Sequence, residues 1–263
     1  MNPILLATLI VGAIGLVAGL GLSAASILMS VKTDETVTRL RDELPGANCG
    51  ACGYSGCDGY AEALAKGEAK PGLCAPGGES VNSKLGEILG VEVENARPTA
   101  AVVLCNGTHD NVGEKMFYNG VETCLAANMQ YSGPSACSFG CLGYGDCMRA
   151  CMFGAIKIKN GRAYVDKTKC TACGACVKAC PKGIIAMMPA DLKESVICCN
   201  KDKGAVTRKI CTAGCIGCMK CVRVCEHDAV RVENNLARID PDKCTACGKC
   251  YEACPVGCIH IGG

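Results

Sequence analysis

Cysteine is the residue type in this sequence that can do chemistry, because 26 of the 263 residues are cysteines and most fall in tight groups. Cys170, Cys173, Cys176 and Cys180 form one such group. This spacing places several thiolates around one inorganic centre, whereas the disulfides of short secreted proteins tie distant loops together. The cysteines therefore predict metal centres that exchange single electrons, and these centres would replace part of a hydrophobic core that has no Trp and three Phe.

An internal repeat organises these groups. Eight cysteines recur at one offset of 74 residues, as from Cys137 to Cys211. The first copy holds Cys137, Cys141, Cys147, Cys151, Cys170, Cys173, Cys176 and Cys180. The second copy holds Cys211, Cys215, Cys221, Cys225, Cys244, Cys247, Cys250 and Cys254. Self-similarity at a fixed period indicates tandem copies of one structural unit.

Each copy ends with the run Cys-x2-Cys-x2-Cys-x3-Cys-Pro, at 170–181 and at 244–255. In this bacterial ferredoxin signature three thiolates hold three irons of a cubane, and the fourth ligates the neighbouring cluster. Short apolar-alternating runs predict strands at 155–158, 184–187, 229–232 and 259–261. The fold class is therefore α+β, with a double-cluster ferredoxin module present twice.

Cross-ligation within each module predicts four sets of ligands. The first module has one set of Cys137, Cys141, Cys147 and Cys180 and another of Cys151, Cys170, Cys173 and Cys176. The second module has one set of Cys225, Cys244, Cys247 and Cys250 and another of Cys215, Cys221 and Cys254 with either Cys218 or Cys211. Regular spacing favours Cys218. Zinc, which also accepts thiolates, is the alternative metal for every set, although cross-ligation spacing followed by Pro favours iron-sulfur clusters.

A separate quartet, Cys49, Cys52, Cys57 and Cys74, precedes the repeat. Four thiolates suffice for one 4Fe-4S cluster, which brings the predicted total to five. Glycines between these cysteines would let backbone N–H groups turn toward the sulfur atoms, and residues 60–67 are predicted to form a short helix. Zinc is a stronger alternative here, because the quartet lacks the doublet pattern.

The amino-terminal stretch has no charged residue from Met1 to Val31 and exceeds the roughly 20 residues that span a bilayer. We expect a single transmembrane helix, with a cleaved signal peptide as the alternative, although no basic residue precedes the apolar run. Lys32, Arg39 and Arg41 follow this stretch and predict that the cysteine-rich part lies in the cytoplasm. The predicted domains are a membrane helix (1–31), a 4Fe-4S domain (32–95), a connector (96–136) and two ferredoxin modules (137–197 and 198–263).

Charge is divided unevenly along the chain. Residues 31–136 carry 8 basic and 14 acidic side chains, a net of −6, and residues 137–263 carry 19 basic and 11 acidic side chains, a net of +8. Stacking aromatics and arginine-rich stretches are missing from the basic half, which argues against nucleic acid as a partner. An acidic protein partner, steered by complementary charge, fits the basic half better.

Six cysteines lie outside the predicted ligand sets: Cys105, Cys124, Cys198, Cys199, Cys211 and Cys258. Buried free thiols are the commoner fate of such residues. The alternatives are a structural role beside a cluster, or a sixth metal site if folding brings Cys105, Cys124, Cys198 and Cys199 together. The sequence has no Gly-rich nucleotide-binding motif that opens a βαβ unit and no P-loop, so hydride chemistry is expected elsewhere.

A membrane helix, a cysteine quartet and tandem ferredoxin modules, in that order, resemble the B subunit of Rnf electron-transport complexes over essentially the whole chain. The resemblance implies a bacterial membrane ferredoxin:NAD oxidoreductase that couples electron flow to sodium or proton translocation. It implies that this subunit takes electrons from reduced ferredoxin, while other subunits carry the flavin and nicotinamide sites. Two other functions stay open: a membrane-associated polyferredoxin that serves another enzyme, and a component of corrinoid-linked methyl transfer.

If the chain is such a B subunit, its basic second half predicts that ferredoxin docks near the second module, around Lys243 and Lys249. Electrons would leave near the Cys49–Cys74 quartet, which lies closest to the membrane helix in the sequence.

Overall fold

The computed structural model describes residues 3–28, 34–93 and 97–261. The helices are α1 (Pro3–Leu28), α2 (Glu35–Glu43), α3 (Cys57–Ala65), α4 (Gly78–Leu89), α5 (Cys124–Met129), α6 (Asp146–Arg149), α7 (Ala175–Ala179), α8 (Gly204–Ile210), α9 (Lys220–Arg223) and α10 (Lys249–Glu252). The strands are β1 (Thr99–Val103), β2 (Ile156–Lys159), β3 (Arg162–Val165), β4 (Ile185–Pro189), β5 (Glu194–Val196), β6 (Val230–Glu233), β7 (Leu236–Ile239) and β8 (Ile259–Ile261). This mixture of short helices and strands confirms the α+β class.

Helix α1 falls within the predicted membrane segment, residues 1–31. Residues 1, 2 and 29–31 of that segment lie outside the described part of the chain. Across the described residues, no helix is both long enough and apolar enough to span a bilayer. The predicted membrane helix is therefore not confirmed.

Helices α2, α3 and α4 form a small domain that carries the first cysteine quartet. Helix α2 contacts both α3 and α4, because the apolar sides of all three face one core. Leu40, Tyr60, Leu64 and Leu85 are almost fully buried there. The helix predicted for residues 60–67 is confirmed as α3, which starts three residues earlier, at Cys57, and ends two residues earlier, at Ala65.

The four predicted strands are confirmed as β2, β4, β6 and β8. Each belongs to a two-stranded antiparallel sheet, and the sheets pair as β1 with β4, β2 with β3, β5 with β8, and β6 with β7. The register repeats as the sequence does, since Ile156 lies opposite Val165 in the first module and Val230 lies opposite Ile239 in the second. The sequence repeat is thus a repeat of structure.

Each module begins one strand earlier than the cysteine pattern indicates. Strand β1 lies in the predicted connector and pairs with β4, and β5 lies in the predicted first module and pairs with β8 of the second. Immediately after these strands, Leu104 N–H donates to the Ile184 carbonyl at 2.7 Å and Ile197 N–H donates to the Cys258 carbonyl at 2.8 Å. Since Cys258 is the repeat counterpart of Ile184, Leu104 and Ile197 occupy equivalent positions.

Candidate metal centres

The quartet domain holds its cysteines with polar side chains that bond to the backbone. Cys57 opens α3, and its N–H donates to Asn48 Oδ1 at 2.8 Å. Gly56 has a φ of +138°, and a Cβ there would lie 2.9 Å from the same oxygen, so only glycine leaves room for this bond. Asn82 Nδ2 donates to the Cys74 carbonyl at 3.3 Å. The cysteine loops are therefore anchored to α3 and α4.

The four thiols of this quartet lie close enough to interact electrostatically. Burial raises the pKa of Cys74, and the nearby thiols of Cys57, Cys49 and Cys52 raise that pKa further. Burial also raises the pKa of Tyr60 to about 12, so its hydroxyl stays neutral and donates to a backbone carbonyl at 2.9 Å in the loop before Cys74. The structure thus brings together the quartet that the sequence predicts.

One cavity of the first module, with an empty space of about 330 Å³, is lined by Cys124, Cys141, Cys147 and Cys180. Burial raises the pKa of Cys147 to about 12, and the thiols of Cys141, Cys124 and Cys180 add to that shift. Three of these residues belong to the predicted set, but Cys137 does not line the cavity. Cys124, which sequence reasoning left among the extra cysteines, lies there instead.

Asp146 places Cys124 at this cavity. Its carboxylate oxygens accept the N–H groups of Cys124 and Leu125, both at 3.0 Å, at the start of α5. Thr123 caps the same helix by accepting the N–H of Ala126 at 3.1 Å. Asp146 immediately precedes the cavity residue Cys147, so one side chain ties α5 to α6. The repeat counterpart of Asp146 is a lysine, which explains why the repeat gave no sign of this contact.

The other cavity of the first module is lined by Cys151, Cys170, Cys173 and Cys176, as the cross-ligation pattern predicts, with an empty space of about 330 Å³. Burial raises the pKa of Cys176 to about 11, with smaller increases from the other three thiols. The N–H of Ala101 in β1 donates to Cys170 Sγ at 3.4 Å. Strand β1 therefore contacts this site directly.

In the second module, one cavity of about 320 Å³ is lined by Cys215, Cys218, Cys221 and Cys254. Cys211 does not line this cavity. A fifth thiol, Cys258, lies 3.6 Å from Cys254 Sγ and takes the place that Ile184 has in the first module. Hydrogen bonding by Cys258 lowers the pKa of Cys254 to about 5, which favours the thiolate that binds iron.

The last cavity, of about 280 Å³, is lined by Cys225, Cys244, Cys247 and Cys250 together with the buried Glu194. A carboxylate oxygen of Glu194 accepts the N–H of Gly248 at 2.6 Å, and the Cys250 thiol lies 3.0 Å from the other oxygen. Burial, and then Glu194, raise the pKa of Cys250 to about 12. Cys247 is the only exposed cysteine among the described residues.

These four cavities match one another in size, at 280–330 Å³, and each is lined by at least four cysteines. A cubane spreads its bonds to protein over four irons, so its thiolates surround a volume and do not converge on one point. Across the described residues, no three His, Cys, Asp or Glu side chains form a group that could hold a single metal ion. The cavities fit 4Fe-4S clusters, which would supply one-electron transfer, and the cysteines would hold the irons.

A cavity larger than these four lies elsewhere, between the two modules. It is lined by five cysteines besides Cys141: Cys105, Cys137, Cys198, Cys199 and Cys211. The structure thus separates Cys137 and Cys211 from the cavities at which the repeat pattern would place them. A local signal for Cys105 and Cys198 exists in the sequence, since each follows a strand as Val-Leu-Cys or Val-Ile-Cys, but the two lie 93 residues apart and an offset of 74 misses them.

Three stretches of the chain match known iron-sulfur families. Residues 44–76 match the family described as "Putative Fe-S cluster", residues 163–186 match a 4Fe-4S binding domain, and residues 208–261 match a 4Fe-4S dicluster domain. These matches cover the quartet, the later part of the first module and most of the second. Iron-sulfur clusters of the 4Fe-4S type are therefore the cofactors of this chain.

Relatives match almost the whole chain. The B subunit of the Na(+)-translocating ferredoxin:NAD(+) oxidoreductase complex of Acetobacterium woodii is 43% identical over 98% of this chain and 78% of its own length. The B subunit of the ion-translocating oxidoreductase complex of Methanosarcina acetivorans is 37% identical over 97% of this chain and 100% of its own. The chain belongs to this family of B subunits. It is an iron-sulfur electron-transfer subunit of an ion-translocating oxidoreductase complex, as its resemblance to the Rnf family predicted.

A third B subunit, from Clostridium ljungdahlii, is 38% identical over 98% of this chain and 93% of its own length. Its name describes a proton-translocating complex, whereas that of the Acetobacterium woodii relative describes a sodium-translocating one. Full-length B subunits at similar identity thus belong to complexes that differ in the coupling ion.

Proposed function

We propose that this B subunit accepts electrons from reduced ferredoxin and passes them singly through five 4Fe-4S clusters to partner subunits of a ferredoxin:NAD+ oxidoreductase. The observation that carries the proposal is the pairing of cysteine-lined cavities within each module, beside a separate quartet. Clusters perform one-electron chemistry, so the task of the protein is to space them, tune them and dock the donor. Hydride transfer to NAD+ belongs to partner subunits.

Five sets of cysteines would hold these clusters. The quartet domain supplies Cys49, Cys52, Cys57 and Cys74. The first module supplies Cys151, Cys170, Cys173 and Cys176 for one cluster, and Cys141, Cys147 and Cys180 with Cys137 or Cys124 for another. The second module supplies Cys215, Cys218, Cys221 and Cys254, and Cys225, Cys244, Cys247 and Cys250. Each set has at least one buried cysteine, and the extent of burial contributes to the potential of the cluster.

Electrons enter the chain at the cluster that Cys247 would ligate. The exposure of this cysteine brings that cluster closest to solvent, and short approach distances favour electron transfer from a docked donor. Lys243 and Lys249 are exposed beside it, and Lys249 is paired with Glu226. Lys243 is therefore the better probe of docking, because its substitution breaks no ion pair that the described residues show. Small soluble ferredoxins are typically acidic, which suits a basic surface.

The test compares two repeat-related lysines in the detergent-solubilised full chain. Lys243→Glu reverses a charge beside the Cys247 cluster, and Lys169→Glu makes the same change at the equivalent exposed position of the first module. Stopped-flow mixing with reduced ferredoxin measures the rate of cluster reduction at several salt concentrations. Steering by charge changes association rates by about 10-fold or more at low ionic strength.

We expect Lys243→Glu to slow reduction by about 10-fold at low salt and to flatten its salt dependence, while Lys169→Glu leaves both close to wild type. Equal effects from the two variants, or none from Lys243→Glu, would refute docking at this surface. Failure of reduced ferredoxin to reduce the wild-type clusters at any salt concentration would refute the proposed function itself.

The proposal includes attachment to the cell membrane through residues 1–31, with the cysteine-rich domains on the cytoplasmic side. Two sequence features support it: the lack of charge from Met1 to Val31, and the basic residues Lys32, Arg39 and Arg41 that follow. Alkaline carbonate extraction of membranes should leave the full chain in the pellet and release a variant that lacks residues 1–31. Release of the full chain by high salt alone would favour a soluble polyferredoxin.

A further inference from the structure

The cavity between the two modules takes cysteines from both of them. Cys105 and Cys137 come from the first module, and Cys198 and Cys211 come from the second. Each of these thiols is buried, with no more than 8% of the residue exposed. Cys137 interacts electrostatically with Cys211 and Cys198, and Cys211 interacts with Cys105. The four thiols thus form one group.

The group is arranged as two equivalent pairs. Cys137 and Cys211 are related by the 74-residue repeat. Cys105 and Cys198 each lie two residues after a strand, β1 in one module and β5 in the other. Their surroundings match as well, since the N–H of Cys141 donates to Cys105 Sγ at 3.3 Å and the N–H of Cys215 donates to Cys198 Sγ at 3.3 Å. Two modules therefore contribute the same half-site.

Backbone N–H groups surround the other pair in the same symmetric way. Those of residues 139 and 140 face Cys137 Sγ, and those of residues 213 and 214 face Cys211 Sγ. Burial raises the pKa of both thiols, and these N–H groups lower it in part. N–H donors to sulfur stabilise the thiolates of iron-sulfur clusters and tune their potentials. A pair of free thiols in a core needs no such donors.

Two repeat-related glycines lie beside the sulfur atoms. A Cβ on Gly140 would lie 3.7 Å from Cys105 Sγ, and a Cβ on Gly214 would lie 3.4 Å from Cys211 Sγ. The empty space of the cavity is about 970 Å³, including the part open to solvent, against 280–330 Å³ for the cavities within the modules. The space is therefore sufficient for a cluster of the same size.

We infer that Cys105, Cys137, Cys198 and Cys211 ligate a sixth 4Fe-4S cluster, which passes electrons between the two modules. The inference rests on the proposed function in taking the chain as a carrier of such clusters. In this assignment Cys137 is a ligand of the interface cluster. Cys124 is then the fourth ligand of the cluster that Cys141, Cys147 and Cys180 hold. One electron would leave the cluster of one module, reduce the interface cluster and then reduce the cluster of the other.

The position of the site explains why it would act as a relay. Cys141 donates its N–H to one interface thiol and is itself a ligand in the first module, and Cys215 does the same in the second. One residue thus separates the interface cluster from each neighbour. Cys199 also lines the cavity, but its thiol donates to the Phe139 carbonyl at 3.1 Å and it has no symmetric partner, because Asn106 holds the equivalent position. It is not a ligand.

The experiment counts iron and acid-labile sulfide in the reconstituted full chain under anaerobic conditions. The wild type should contain roughly 24 irons and 24 sulfides, where five clusters would give roughly 20 of each. A double variant, Cys105→Ser with Cys211→Ser, removes one ligand from each half-site and should lose about four irons and four sulfides. The matched control, Cys199→Ser, should lose none.

Two single variants make the result independent of whether the double variant folds. Cys124→Ser and Cys137→Ser should each lower the count by about four irons, because they would serve different clusters, and the combination should lower it by about eight. EPR of the reduced protein should show that the two losses remove different signals. If Cys137 completes the cluster of Cys141, Cys124→Ser will retain all the iron and the inference fails.

A wild-type content near 20 irons would overturn the interface cluster and leave the proposed relay of five clusters intact. Zinc in place of iron at the interface would overturn it as well. A wild type with few or no irons after reconstitution would overturn the proposed function, so the two failures are distinguishable.

Discussion

Replacing Asp146 by alanine should release Cys124 from its cavity. The carboxylate accepts two N–H groups at the start of α5, both at 3.0 Å, and its side chain is only 16% exposed. Loss of a helix cap costs about 1 kcal/mol, and a hydrogen bond to a charged group contributes roughly 1.5 to 3 kcal/mol. We take about 2 kcal/mol for the pair, which corresponds to a change of about 30-fold in the ratio of docked to undocked α5.

The assay follows cluster loss from the full chain in an anaerobic chelator, by absorbance and residual iron. If a cluster is lost when α5 undocks, Asp146→Ala should speed the loss of one cluster by about 30-fold and leave the others unchanged. Asp166→Ala is the control, because Asp166 accepts the N–H of Thr168 at 3.0 Å in an exposed turn and anchors no cysteine from elsewhere. Its effect should stay below about 5-fold.

A double-mutant comparison separates a role through Cys124 from general destabilisation. In a Cys124→Ser background the Asp146→Ala substitution should have no further effect on cluster loss, because the ligand that it positions is already absent. An Asp146→Ala protein that loses iron at the wild-type rate would refute the reasoning. So would an effect of the same size in both backgrounds.

Three further substitutions test the second module. Gly217→Ala should lower the apparent melting temperature more than Gly248→Ala. Both glycines have positive φ, but only at Gly217 would a Cβ lie 2.9 Å from a backbone oxygen. Equal shifts of the melting temperature in thermal scans would contradict this prediction. Cys258→Ile, which copies the first module, should retain all iron and shift one midpoint potential downward in redox titration, because Cys254 loses a hydrogen-bond partner. Glu194→Ala should speed cluster loss by leaving the Gly248 N–H unpaired, whereas Glu194→Gln, which keeps an acceptor, should do so less.

The sequence was sufficient for features whose spacing is local. The runs that begin at Cys170 and Cys244 each predicted three cysteines of one cavity, since residues three apart stay together in any fold of the loop. The fourth cysteine, Cys151 or Cys225, came from the cross-ligation pattern. The alternating runs likewise predicted β2, β4, β6 and β8. In these elements the local pattern and the tertiary structure require the same arrangement.

Features that depend on pairing across long separations were not predictable in this way. Strand β1 pairs with β4 over more than 80 residues, so nothing near 99–103 indicated that this strand begins the first module. Asp146 holds Cys124 at its cavity by binding the start of α5, and a single aspartate produces no periodic pattern in the sequence. The sixth group of cysteines escaped the repeat because its members follow two different offsets, 74 and 93 residues.

The order of strand pairing also gives the chain a sequence of assembly during synthesis. The first module closes when β4 has emerged to meet β1, while β8, which closes the second module against β5, is made about 70 residues later. At the translation rates of cells, this separates the two closures by several seconds. Cys105 and Cys137 therefore lie at an incomplete surface of the first module until the second module, which carries Cys198 and Cys211, has folded against it.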